Sequence, residues 1–189
     1  EGALRLKKLP QLCRDAEMPA LALTDTNNMF AALEFSVAMS GAGVQPILGC
    51  QVDLAYIDAR PGERAAATAS LVLLAQSEAG YENLMKLNSC LYVDKGGALP
   101  EVTLVELEAH ASDVICLTGG PDGPVGMLLQ SGQSPAAEAL VKRLHAAFGD
   151  RLYVELQRHP GEAGKPENER LTERGFVEMA YAMGLPLVA

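Results

Sequence analysis

Ala20-Leu21-Ala22-Leu23-Thr24-Asp25-Thr26-Asn27-Asn28-Met29 is the stretch from which the fold is read most directly. The apolar run Ala20 to Leu23 predicts a buried strand, and the polar residues behind it predict a turn. Met29, Phe30, Leu33 and Val37 then recur at helical spacing, so a helix is predicted over 29–39, capped by Asn27 or Asn28. Asp25 and Thr26 accordingly stand at the carboxyl end of a strand, where α/β proteins place their ligands. On local sequence alone Asp25 is a turn residue first and a chemical group second.

The pattern repeats outward from this unit. Before it, Leu4 to Met18 is helical, with Leu4, Leu9, Leu12 and Cys13 near one face and Pro19 as the stop. After it, Gly41-Ala42-Gly43 ends the helix and Gln45 to Leu54 reads as a second strand. Ser70 to Ala75 is a third strand, and Ser77 caps a helix carrying Tyr81, Leu84, Met85, Leu87 and Leu91. Loops are predicted over 58–67 and 94–100, and a short acidic helix over 102–110. Val114 to Thr118 is a fourth strand, and Gly126 to Leu129 a short helix. Ser134 and Pro135 open a long helix striped by Ala137, Leu140, Val141, Leu144 and Phe148. Leu152 to Leu156 is a fifth strand, Asn168 to Met183 a helix stopped by Gly184, and Leu185 to Ala189 another strand. Strands alternating with helices imply parallel strands joined by helical crossovers, hence an α/β sheet or barrel. The chain begins with Glu1 on a helix and stops inside a strand, so a piece of a longer chain is expected.

Composition narrows the function. With 189 residues, 49% hydrophobic and 21% charged, one globular domain over 1–189 is expected, neither disordered nor membrane-spanning. No secretory leader pattern is visible, and a cytoplasmic location is expected. Cys13, Cys50, Cys90 and Cys116 are far apart and form no C-x-x-C pair, which fits buried reduced thiols rather than a zinc ribbon. Fifteen basic against twenty-four acidic residues give a formal charge of −9, a balance that repels a phosphate backbone. Gly119-Gly120-Pro121-Asp122-Gly123 lacks the lysine of a phosphate-binding loop and reads as a strand-end turn. No G-x-S-x-G elbow is present.

Thr24-Asp25-Thr26-Asn27-Asn28-Met29-Phe30 resembles the second motif of the PHP (polymerase and histidinol phosphatase) domain family, in the form carried by alpha subunits of bacterial DNA polymerase III. Gln45-Pro46-Ile47-Leu48-Gly49-Cys50, Leu71 to Ala75, Gly80 to Leu84 and Leu117-Thr118-Gly119-Gly120 resemble it in the same order, over essentially the whole chain. The resemblance implies a distorted (β/α)7 barrel like a TIM barrel, here lacking its first strand and truncated at the last. It also implies up to three metal ions at the strand ends, and this chain departs from the ligand pattern residue by residue. Thr26 and Ser70 stand where the family has histidines, Gln51 where it has a glutamate, and Gly120 where it has a cysteine. Asp25 and His159 match the pattern. Neutral side chains cannot offset cations, so the remnant pocket of Asp25, Thr26, Gln51, Ser70, Gly120 and His159 is expected to hold no metal, no cofactor and no catalytic residue.

What the resemblance then implies is a scaffold inside a longer replicative polymerase. Its expected partners are the other domains of that chain and the proofreading exonuclease subunit, with DNA handled by the parent chain. The alternative is a working metal-dependent phosphoesterase or 3′–5′ exonuclease, in which a divalent metal would be the cofactor. An unrelated small-molecule-binding barrel is the third option.

Overall fold

The computed structural model describes residues 4–56, 68–93, 100–159 and 166–189. The loops expected over 58–67 and 94–100 fall outside these residues except for Pro100, as do 1–3 and 160–165. In chain order the elements are α1 (Leu9–Asp15), β1 (Ala20–Leu23), α2 (Ala32–Gly41), β2 (Gln45–Ala55), β3 (Thr68–Ala75), α3 (Glu78–Cys90), β4 (Val102–Thr103), α4 (Leu104–Ala109), β5 (Val114–Leu117), α5 (Pro124–Gln130), α6 (Ser134–Phe148), β6 (Leu152–Glu155), α7 (Glu167–Met183) and β7 (Leu187–Val188).

The strands form one seven-stranded sheet in the order β1-β2-β3-β5-β6-β7, with β4 added to β2, and the sheet curls into half a barrel. Most pairs are parallel, as strand–helix alternation requires. β3 is the exception: it runs antiparallel to both β2 and β5, against the all-parallel expectation. The segment that joins β2 to β3 lies largely outside the described residues, and antiparallel neighbours, unlike parallel ones, need no helical crossover between them.

Burial alternates along the second half of β2, most of β3, and β5 and β6. Cys50, Val52, Leu54, Leu71, Leu73, Val114, Cys116, Leu152 and Val154 face one side, where they pack in one cluster with apolar residues of α3 to α7. The opposite residues, Gln51, Asp53, Ser70, Val72, Leu117, Tyr153 and Glu155, are only half-buried and line the concave side. A second, smaller cluster joins Leu9 and Cys13 of α1 to Phe35 and Met39 of α2 and to Val44.

Several predicted ends shift. Ser77 caps α3, its Oγ accepting from Gly80 N, and a capping box of Thr103 and Glu106 starts α4, so the acidic helix begins two residues late behind the short β4. Ser134 caps nothing. It is the first residue of α6, behind Gln133. The largest correction concerns α2, which starts at Ala32 with neither Asn27 nor Asn28 as its cap. Its buried face is Ala32, Phe35 and Met39, while Phe30, Leu33 and Val37 of the predicted stripe point outward. Apolar residues surround this helix, so their spacing alone could not tell one face from the other.

Candidate functional site

The polar residues of the concave side gather where β1, β2, β3 and β6 end or pair. Alternation places Gln51 and Asp53 on the same face of β2, and register sets Ser70 directly opposite Asp53. Ser70 Oγ donates to Asp53 Oδ1 at 2.6 Å. Asn27 Nδ2 donates to Asp53 Oδ2 at 2.8 Å, and Asp53 N donates back to Asn27 Oδ1 at 3.0 Å. This clamp holds Asn27 in the left-handed region at φ +55°, and the Tyr92 hydroxyl donates to its carbonyl at 2.8 Å. The amide expected to cap α2 is therefore spent on β2.

Beside this network lies a polar pocket of about 200 Å³ lined by Gln51, Ser70, Gly119, Asp122, Glu155 and Gln157, together with Val72. Gly119 and Gly120 both take positive φ, which lets the turn after β5 pass against the Ser70 carbonyl and beneath Gln157. A Cβ added at Gly120 would lie 2.7 Å from the Gln157 side chain. Gln157 thus fills the space a larger residue at 120 would claim, and its amide donates to Glu155 Oε1 at 2.8 Å. The second oxygen, Glu155 Oε2, is buried and accepts no hydrogen bond from any described residue.

The other predicted site residues are distributed elsewhere. Asp25 and Thr26 line a separate, largely apolar groove of about 490 Å³ together with Leu6, Leu9, Leu21 and Leu23, and Gln51 borders both spaces. Thr26 forms a single parallel bridge with Gln51, whose N–H donates to the Asp25 carbonyl at 3.1 Å. His159 is held by α7: its Nδ1 lies 2.5 Å from Glu169 Oε1 and its backbone N–H donates to Glu169 Oε2 at 3.0 Å. The imidazole is 71% exposed while Glu169 is 3% exposed, so the loop after β6 is tied down by a buried carboxylate. Gln51 and Ser70 meet in one pocket beside the Gly119-Gly120 turn; Asp25, Thr26 and His159 do not line it.

Among the described residues no group of three or more His, Cys, Asp or Glu side chains converges as a metal site would require. Cys50, a strand neighbour of the site, keeps its proton: burial pushes its thiol up to about 11, against weaker hydrogen bonds from the turn and Asn88 that favour the thiolate. Its Sγ donates to the carbonyls of Asp25 and Asn28. Asn27, Asp53, Asp122, Glu155 and Gln157 were missed in the sequence. Asp53 and Gln157 had a usable signal, each lying two residues from another polar strand residue and so on the same face.

A model of the PHP domain matches residues 1–159. The chain belongs to the PHP domain family. Over its whole length this PHP chain is 44% identical to the DNA polymerase III subunit alpha of Caulobacter vibrioides, covering 16% of that protein. It is 33% identical to the subunit alpha of Treponema pallidum and 32% identical to that of Rickettsia bellii, covering 16% and 15% of them. The chain therefore spans about a sixth of the length of these relatives. Among solved structures, an amidohydrolase from Chromobacterium violaceum aligns with a TM-score of 0.57 at 14% identity, covering 99% of this chain and 81% of that one. A candidate metal-dependent phosphoesterase from Bifidobacterium adolescentis aligns with a TM-score of 0.54 at 12% identity, over 98% and 81%. At such identities the likeness is one of fold, and it agrees with the barrel-like α/β architecture. No helix of the described residues is long and apolar enough to cross a membrane.

Proposed function

We propose that this PHP domain is the amino-terminal domain of a cytoplasmic DNA polymerase III alpha subunit, where it serves as a scaffold. In this reading the domain offers a docking surface to the proofreading exonuclease subunit, and synthesis on DNA belongs to the rest of the polypeptide. The observation that carries it is the fate of the pocket's donors. The Ser70 hydroxyl is given to Asp53 and the Gln157 side chain fills the space above Gly120, while His159 stands outside the pocket, committed to Glu169. Gln51, Ser70 and Gln157 carry no charge to offset a cation, and in this reading the pocket stabilises protein contacts in place of a metal cluster.

The test is titration of the full alpha subunit with Zn²⁺ or Mn²⁺, followed by assay on a model phosphodiester, together with capture of the exonuclease subunit. No stoichiometric metal, no hydrolysis and a stable complex are expected. One observation favours the active alternative: Glu155 Oε2 is a buried acceptor without a donor among the described residues, in a pocket that also contains Asp122. Stoichiometric metal binding that is lost with Glu155→Gln would establish that alternative and reject the scaffold reading of the pocket.

A further inference from the structure

Leu33 and Val37, one turn apart on α2, are 78% and 66% exposed, and Phe30, in the turn just before the helix, is 90% exposed. The opposite side, Ala32, Phe35 and Met39, is buried in the domain. The outer side of α2 carries Glu34 and Ser40 as well, but its large side chains, Leu33 and Val37, are apolar, where a surface helix ordinarily sets long polar ones. The surroundings point the same way. From Thr26 to Val52 the only charged residue is Glu34, in a chain that is 21% charged overall. Depletion of charge around exposed aromatic and aliphatic side chains marks the centre of an interface, and a contiguous apolar patch open to water is a liability that proteins seldom keep.

We infer that the Phe30–Leu33–Val37 stripe is a permanent interface with another domain of the same polypeptide. This rests on the reading of the chain as part of an alpha subunit. The relatives match this chain along all of its length but along only 15–16% of theirs, so most of such a polypeptide lies outside it. A domain of the same chain is present in equal number from synthesis onward and covers the stripe continuously. A separate subunit would leave it open before every assembly, and interfaces that form and dissociate keep about as much polar area as ordinary surface.

Hydroxyl-radical footprinting of the full alpha subunit, dilute and monomeric, tests this through the oxidation rates of Phe30 and Leu33. Each rate is normalised to that of the same peptide in the urea-unfolded chain. Protection of about fivefold or more is expected in the monomer without any partner. Leu33→Glu, at a position that is wet within the domain and so leaves its fold intact, should return Phe30 to nearly its unfolded rate. Oxidation of Phe30 within about twofold of the unfolded rate would overturn the inference. So would protection that appears only with the exonuclease subunit, which would assign the stripe to that partner, or only on raising the concentration, which would assign it to a second copy. Protection of Phe30 that survives Leu33→Glu would also count against it. Metal binding or a missing exonuclease complex would leave the footprint unchanged, so the two readings fail separately.

Discussion

At Gly120 two constraints meet in a single residue. Its φ of +60° costs any residue with a Cβ about 1 kcal/mol, and that Cβ would press on Gln157 at 2.7 Å. Gln157 can swing aside only by giving up its bond to Glu155, so Gly120→Ala is expected to destabilise the domain by about 1–2 kcal/mol. Gln157→Ala in the same chain should recover the steric part and leave the backbone part, a non-additivity readable from urea unfolding of the four variants. Additive losses would mean that Gln157 does not fill this space. Cys50 makes a second prediction at the same scale. Its thiol is raised from 9.0 to about 11 by burial, so above pH 9 the unfolded chain ionises this group while the folded chain holds its proton. The folded state then binds more protons than the unfolded state, so the contribution of Cys50 is intact below pH 9 and is lost as pH rises toward 11, a loss of order 2 kcal/mol. Denaturant titrations at pH 8 and 10.5 should show this slope, and Cys50→Ala should flatten it. Thiol labelling at pH 8 gives an independent check. Partly exposed Cys90 should react first, while Cys50 and Cys116, buried beneath the helices, stay protected until unfolding.

At the scale of elements, the turn between β1 and α2 shows what sequence could and could not convey. Strand β1 and the Ser77-capped helix were legible, because a short apolar run and a cap residue are local signals. The partner of Asn27 was not, because Asp53 lies on another strand and only pairing brings it near. The same holds for β3. Its residues say strand, but nothing in an apolar run of six residues fixes the direction in which it pairs, and all-parallel alternation was the wrong extrapolation. The site divides likewise: the pattern singled out Gln51, Ser70 and Gly120, and Gln51 and Ser70 do share one pocket, yet it gave no sign that Gln157 would lie against Gly120. The clamp on Asn27 is testable. Asn27→Ala removes two hydrogen bonds to Asp53, leaves its carboxylate with the Ser70 hydroxyl but without the Asn27 amide on Oδ2, and puts alanine at φ +55°, for an expected cost of about 2–4 kcal/mol. Asn27→Gly keeps the backbone freedom and should cost about 1 kcal/mol less. Equal losses in chemical denaturation would show that the side-chain bonds alone hold the turn.

For the whole molecule the governing quantity is charge. A protein gains affinity for DNA by neutralising phosphates and releasing counterions, and each phosphate contact needs an available Lys or Arg. This chain has fifteen such residues against twenty-four acids. Several of the fifteen are already paired on the surface: Lys86 with Glu82, Lys142 with Glu138, Arg143 with Glu108, Arg158 with Glu173 and Arg174 with Glu178. Exposed pairs of this kind add only a few tenths of a kcal/mol each to stability, but they lower the positive potential that a phosphate would meet. The net field of −9 then opposes approach at any distance shorter than the screening length, and low salt strengthens the repulsion. Residues 1–189 should therefore leave the anisotropy of a labelled single- or double-stranded oligonucleotide unchanged up to about 100 µM protein at about 50 mM salt, conditions in which basic non-specific binders saturate. In the full alpha subunit, Lys86→Gln and Lys142→Gln should leave the slope of log affinity against log salt unaltered, since neither lysine would touch a phosphate. A slope shallower by about one for either variant would place DNA on this face and remove the basis for treating the domain as architecture away from the nucleic acid.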